Sequence, residues 1–158
     1  MNAVILCVGR LREKYWQDAA EEYLKRLTRF GRVEIIQVAD LPEPKGASDA
    51  DREKVMAREG EALLRHLSPR DHVIALCIRA REVSSEVLAE KLRHLDNEGR
   101  RTVFVIGGSL GLSPAVLARA DEKMSMSPMT FPHQLARVML LEQVYRAGAI
   151  NAGQRYHK

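Results

Sequence analysis

Along the chain, apolar residues alternate between two spacings. Ala3–Val8 is a continuous apolar run closed by Gly9, the pattern of a strand buried on both faces of a parallel sheet. Trp16, Ala19, Ala20, Tyr23, Leu24 and Leu27 then fall on one face at helical spacing, so Trp16 and Tyr23 read as core rather than as a platform for stacking bases. Val33–Val38 predicts a second strand, and the proline-containing stretch Asp40–Gly46 a turn-rich loop. Ser48 with Asp51 has the form of a capping box, opening a helix that runs to about His66. His72–Ile78 predicts a third strand. Ser84 caps the next helix, Leu88, Leu92 and Leu95 form its inward stripe, and Gly99 is the left-handed residue that ends it.

Thr102–Ile106, rich in β-branched residues, predicts a fourth strand that empties into Gly107-Gly108-Ser109-Leu110-Gly111. Ser113-Pro114 reads as the N-cap and first turn of a further helix. Met124–His133 alternates small and apolar residues between two prolines, which exclude helix and central strand. An apolar helix, Leu135–Ala149, and the tail Arg155-Tyr156-His157-Lys158 follow. With a short strand before the last helix, strands and helices alternate throughout. That order predicts an α/β fold, a largely parallel sheet flanked by helices. The 158 residues contain no internal repeat, low-complexity tract or linker, and fit one domain, 1–158.

Composition adds little until it is divided. Twenty-five basic against 21 acidic residues give +4, uninformative by itself. From Met124 onward, however, Arg137, Arg146, Arg155 and Lys158 face Glu142 alone, four against one, a net +3. A surface for a polyanion would carry such an excess. Cys7 and Cys77 lie in apolar strand-like runs and read as small buried hydrophobes of a reducing cytosol. The five histidines show no metal-ligand spacing with them, so no metal is expected. Ala3–Val8 lacks a basic flank and is too short for a signal peptide or a membrane span, so a cytoplasmic protein with no membrane partner is expected.

Ligands of parallel α/β sheets bind beyond the carboxyl ends of the strands, which brings the chain after Leu76 beside the glycine turn after Ile106. Phosphate binding is one use for such a turn, but there is no Gly-Lys-Ser/Thr and no Gly-x-Gly-x-x-Gly spacing. A second use is close backbone approach to an uncharged adenosine, with Met126, Met129 and Phe131 as an apolar wall. A purely structural turn beside an irregular core loop is the third.

The stretches Ile106–Ser113, Ser125–Val138 and Glu142–Ala147, with terminal Tyr156-His157-Lys158 and the opening Val8–Leu11 and Lys14–Trp16, resemble the ribosomal RNA large subunit methyltransferase H family. These are SPOUT-class pseudouridine N3-methyltransferases, and the resemblance covers nearly the whole chain. It implies a SPOUT-type α/β knot whose C-terminal segment forms a trefoil, and a homodimer. All-round apolar Val138–Leu141 independently calls for cover on more than one side. It further implies S-adenosyl-L-methionine as methyl donor, bound by Leu76, Gly107, Gly108, Gly111, Met126, Ser127, Pro128, Met129, Thr130 and Phe131. The implied substrate is helix 69 of 23S rRNA, within the large subunit or the ribosome. The acceptor nitrogen must lose a proton, and His133, Arg137, Tyr156 and His157 are the candidates to position or deprotonate it, the tail reaching a partner's site. Two positions depart from the family: Cys77-Ile78-Arg79-Ala80-Arg81, where a polar residue and a glycine are common, and Gly148, where an aromatic residue is common.

Overall fold

The computed structural model describes residues 1–157. In chain order its elements are β1 (Asn2–Val8), α1 (Lys14–Leu27), β2 (Arg32–Val38), α2 (Asp49–Leu64) and β3 (His72–Glu82). There follow α3 (Ser85–Asn97), β4 (Thr102–Ile106), α4 (Pro114–Arg119), β5 (Glu122–Ser125) and α5 (His133–Asn151). The five strands form one sheet in the order β2-β1-β4-β3-β5, parallel at every pairing.

The apolar runs at positions 3–8 and 102–106 become the two central strands because both of their faces are covered. Ile5, Cys7, Phe104 and Ile106 pack against α1, α3 and α5 on one side, while Val4, Leu6, Val103 and Val105 pack beneath α2 and α4 on the other. Burying each large apolar side chain contributes about 1.5–3 kcal/mol, so these two strands are a major source of the stability of the fold.

Local signals act where the sequence places them. Ser48 Oγ accepts from Asp51 N–H and Ser48 N–H donates to Asp51 Oδ2, closing the capping box of α2. Ser84 and Ser113 cap α3 and α4, and Gly99 takes a φ of 66°.

Three elements differ from expectation. Helix α2 ends at Leu64, and α5 runs two residues further than expected at each end, opening directly after Pro132. Strand β3 continues to Glu82 instead of stopping at Ile78, because Met124 of β5 pairs with both Leu76 and Arg81. The intervening residues bulge out of the ladder, which a period-two reading of the sequence does not register. Cys77 sits on this bulge and is half-buried, unlike fully buried Cys7, whose thiol is pushed up to about 11, chiefly by burial.

The amino ends of the strands are held by charge. Asp71, at the start of β3, accepts from Arg101 Nε at 2.9 Å and Arg101 Nη2 at 2.6 Å, and its Oδ2 also takes the Ser68 N–H. Asp121 Oδ2 accepts from Val73 N–H, Arg119 donates to Ser68 O, and Glu122 holds Lys91 and His72.

Helix α5 packs between α1 and α3, burying Leu140, Leu141, Val144, Tyr145, Ala147 and Ala149. Leu135, Val138 and Met139 stay half-buried. At Gly148 a Cβ would lie 2.6 Å from the Phe30 ring. Phe30, in the turn between α1 and β2, therefore brings an aromatic ring to the position and packs on Tyr145 at 5.6 Å between centroids.

Candidate functional site at the carboxyl ends of the strands

Both irregular segments of the C-terminal third meet at one cavity of about 400 Å³, at the carboxyl ends of β3, β4 and β5. Its glycine turn is stereochemically demanding. Gly111 N–H donates to Gly108 O at 3.0 Å, folding the turn back over Gly107, and Gly111 has a φ of 84°. A Cβ on Gly107 would stand 2.7 Å from Gly111 C and 2.8 Å from Gly111 O, where no side chain fits. On Gly108 it would press on Val8 and on the buried carboxylate of Glu59. Gly107, Gly108 and Gly111 thus line the cavity with backbone alone, and the Cβ atoms that Gly107 and Gly108 lack would strike protein atoms.

The facing wall is organised by Ser125, 2% exposed. Its Oγ lies 2.9 Å from both Ile78 O, on the β3 bulge, and Ser127 O, and accepts from Ser127 N–H at 3.2 Å. Ser127 Oγ in turn accepts from Met129 N–H at 3.0 Å. Two prolines prevent this segment from using regular backbone bonds, so serine hydroxyls supply the partners.

Of the residues expected at a cofactor, Leu76, Gly107, Gly108, Gly111, Met126, Ser127, Met129, Thr130 and Phe131 line the cavity; Pro128 does not. His133 lines it too, from the first turn of α5. Arg137 does not. It is 1% exposed and Nη2 donates to Gly9 O at 3.1 Å and Val8 O at 3.4 Å, tying α5 to the end of β1. Its Nε and Nη1 are buried without a partner among the described residues, and burial pulls the guanidinium below its usual range.

Tyr156 and His157 pack back toward α5 and do not line this cavity. The Tyr156 hydroxyl donates to Glu142 Oε1 at 3.1 Å, its ring stands edge-on to Tyr145, and Arg146 lies over it. Burial and then Glu142 push the phenol up to about 12. His157 reaches Glu86 with Nε2 at 2.7 Å and Arg146 with Nδ1 at 3.4 Å. Lys158 lies outside the described residues. Glu142 also lines a second cavity, of about 390 Å³, which shares Met124, Ser125 and Met126 with the first.

Several lining residues escaped the sequence reading: Ser109, Leu112, Leu117, Ala136 and the bulge residues Cys77, Ile78 and Arg79. The strand-end rule, which brings the chain after Leu76 to the site, and the departure from the family pattern at 77–81 pointed toward the last three without naming them. Glu59 was missed altogether. It is 4% exposed behind the glycine turn, accepts from Leu41 N–H at 3.2 Å, and is pushed up by burial. An acidic residue on the inward face of a helix beside a glycine was the available signal. That neighbour, Gly60, lets Ser113 approach α2 where a Cβ would collide.

Fold and cavity together define a parallel α/β protein with a ligand site at the strand carboxyl ends, formed by a glycine turn and a proline-bounded loop. The family model described as "Predicted SPOUT methyltransferase" matches residues 1–157. A relative from Bifidobacterium animalis subsp. lactis, named ribosomal RNA large subunit methyltransferase H, is 50% identical with all of each chain covered. Proteins of the same name from Lactobacillus delbrueckii subsp. bulgaricus and Lactiplantibacillus plantarum are each 48% identical over the full length of both chains. The chain belongs to the SPOUT methyltransferase family.

Proposed function

We propose that this protein is an S-adenosylmethionine-dependent methyltransferase acting on N3 of a pseudouridine in helix 69 of 23S rRNA, on the large subunit or the ribosome. The observation that carries this reading is the convergence of Gly107–Gly111 with Met126–Phe131 on one cavity. Its walls are mostly backbone and apolar side chains, with Arg79, His133 and a few hydroxyls, and among the described residues no aspartate or glutamate lines it. Gly107, Gly108 and Gly111 bring backbone rather than side chains to the cavity wall, which suits a flat, uncharged adenosine, and among the described residues the lining has neither a carboxylate nor a lysine to favour a nucleotide-metal complex. The names of the full-length relatives support ribosomal RNA as substrate. A cytoplasmic location, a single domain and a knotted C-terminal segment belong to the same proposal.

S-adenosylmethionine supplies a methyl group on a sulfonium, whose carbon–sulfur bond breaks as the bond to N3 forms. The glycine turn and the 126–131 loop hold and orient; closeness and alignment are the main contribution a protein makes to such a displacement. Among the titratable groups lining the cavity, Cys77 is held protonated by burial, and Arg79 is a permanent cation. His133 is left to take the N3 proton within a protomer. Arg137 acts through position, fixing the first turn of α5 and hence His133.

The homodimer is part of the proposal. The half-buried strip Leu135, Val138 and Met139 offers it an apolar contact. Tyr156 and His157 would complete the partner's site, and the wall shared between the two cavities supports a tail working next to the cofactor loop.

Calorimetry with S-adenosylmethionine and, separately, ATP tests the first part. Binding of the former alone is expected, followed by methyl incorporation into unmodified large subunits, mapped by mass spectrometry. ATP binding, or no binding, would leave a non-catalytic assembly protein as the better reading. Mixing Gly107→Ala protomers with Tyr156→Ala protomers tests the shared site: activity absent from each alone should return in mixed dimers. Mixed dimers without activity would exclude a tail acting in trans.

A further inference from the structure

We infer that Arg79 is a specificity-determining residue of the cavity, pairing with the carboxylate at the amino-acid end of the cofactor. The inference rests on the S-adenosylmethionine reading and adds to it the direction in which the ligand lies. Arg79 stands on the bulge that interrupts the β3–β5 ladder between Leu76 and Arg81. The hydrogen bond between Ser125 Oγ and Ile78 O fixes the bulge one residue away, so the position of Arg79 is built rather than accidental.

Its side chain is solvent-exposed yet lines the cavity, which places it at the rim. Among the described residues Arg79, like several other surface arginines, meets no carboxylate of the protein, but it alone of them lines the cavity. The cavity is otherwise apolar or neutral apart from His133 and Cys77, so Arg79 is the one permanent charge among the described residues that line it. A ligand with a neutral, flat end and a carboxylate end is matched by this arrangement in one orientation only. The flat end goes between the glycine turn and Met126–Phe131, and the carboxylate goes to the bulge. A guanidinium presents a planar pair of donors to a carboxylate, and the charge assistance makes the contact stronger than a neutral hydrogen bond.

The test compares two adenosine thioethers, S-adenosylhomocysteine, which carries the carboxylate, and 5′-methylthioadenosine, which lacks the whole amino-acid head group. Each is titrated calorimetrically into wild type, Arg79→Ala and Arg79→Glu at low and high salt. Wild type should bind the first more tightly. Arg79→Ala should lose about five- to tenfold in affinity for S-adenosylhomocysteine while changing little toward methylthioadenosine. Arg79→Glu should lower S-adenosylhomocysteine binding further, again with little change for the other compound. Arg79→Lys should recover part of the loss, and high salt should shrink the difference in wild type. Melting curves of the variants keep a folding defect separate from a binding defect.

Equal losses for both thioethers, or none, overturn the inference. So does a variant that binds S-adenosylhomocysteine normally but shows a raised KM for ribosomal subunits, since Arg79 would then face RNA phosphate. Failure of the wild type to bind either compound would instead overturn the cofactor reading itself.

Discussion

At the amino ends of β3, β4 and β5, Asp71 grips Arg101 through both oxygens, Asp121 caps Val73 N–H, and Glu122 takes Lys91 and His72. At the carboxyl ends of the same strands the chain offers glycines, two prolines, three methionines and a buried serine, with exposed Arg79 at the cavity rim. The first end satisfies most of its polar groups with side chains of its own, His72 Nδ1 being buried without a partner among the described residues. The second leaves backbone and apolar surface facing a cavity. One scaffold thus places stability and ligand binding at opposite poles of the sheet, and substitutions at each pole should report different quantities.

The largest effect is expected from Gly107→Ala. Its methyl group meets the Gly111 backbone, so the turn must open. S-adenosylmethionine affinity should fall about 100-fold or more, ~2.7 kcal/mol, against a stability cost of roughly 1–3 kcal/mol. Calorimetry and denaturation on the same sample separate the two, and unchanged affinity would break the contrast between poles.

Asp71→Ala should behave in reverse. It deprives Arg101 and Ser68 N–H of their acceptor, and should cost roughly 2–3 kcal/mol by denaturant unfolding, moderated because Arg101 keeps some water. Ligand affinity of the folded protein should not change. The pH dependence follows from the same group. Burial alone would raise the Asp71 carboxyl, but the hydrogen bonds from Arg101 and Ser68 and the charges of Arg101 and Arg119 outweigh it and hold it below its usual value. Asp121 and Glu122 are lowered as well. A lowered carboxyl stabilises fully above its unfolded pKa, and that contribution disappears as pH falls through the folded pKa. Stability should therefore fall with acidification below the ordinary carboxylate range, and less steeply in Asp71→Asn.

Gly148→Ala should destabilise by about 1 kcal/mol, the gain in helix propensity being outweighed by the Phe30 clash. The penalty should vanish in a Phe30→Ala background, which a double-mutant cycle measures. Ser125→Ala should have an effect of similar size. Losing its hydroxyl should cost about 1 kcal/mol and loosen the bulge, lowering ligand affinity a few-fold.

How much of this was readable in advance divides along the same line. Strands, caps and the glycine turn depend on neighbours in sequence: Ser48 with Asp51, Ser113 with Pro114, and the β-branched run at 102–106. The meeting of the glycine turn with the 126–131 loop also followed, because strand carboxyl ends share one side of a parallel sheet. What depends on distant partners was hidden. The β3 bulge exists because of where Met124 pairs, Glu59 faces the glycine turn from a helix far upstream, and Arg137 is buried by carbonyls at Val8 and Gly9. No periodicity within α5 distinguishes an arginine sealed under a strand end from one on the surface.

The strand order also sets when the site comes into being. β4 lies between β1 and β3 although it follows both in the chain, so Ala3 pairs with Thr102 and Ile74 with Phe104. Until β4 has been synthesised, β1 and β3 each present an unpaired, strongly apolar edge, the state in which partly folded chains associate. Pairings this distant in sequence close late and slowly. Nascent chains halted before Thr102 should accordingly be protease-sensitive and bound by chaperones, while chains released through His157 should be resistant. A ligand that needs all three strand ends can hold the finished molecule together but has nothing to grip while it forms, so it should slow unfolding and leave the folding rate unchanged.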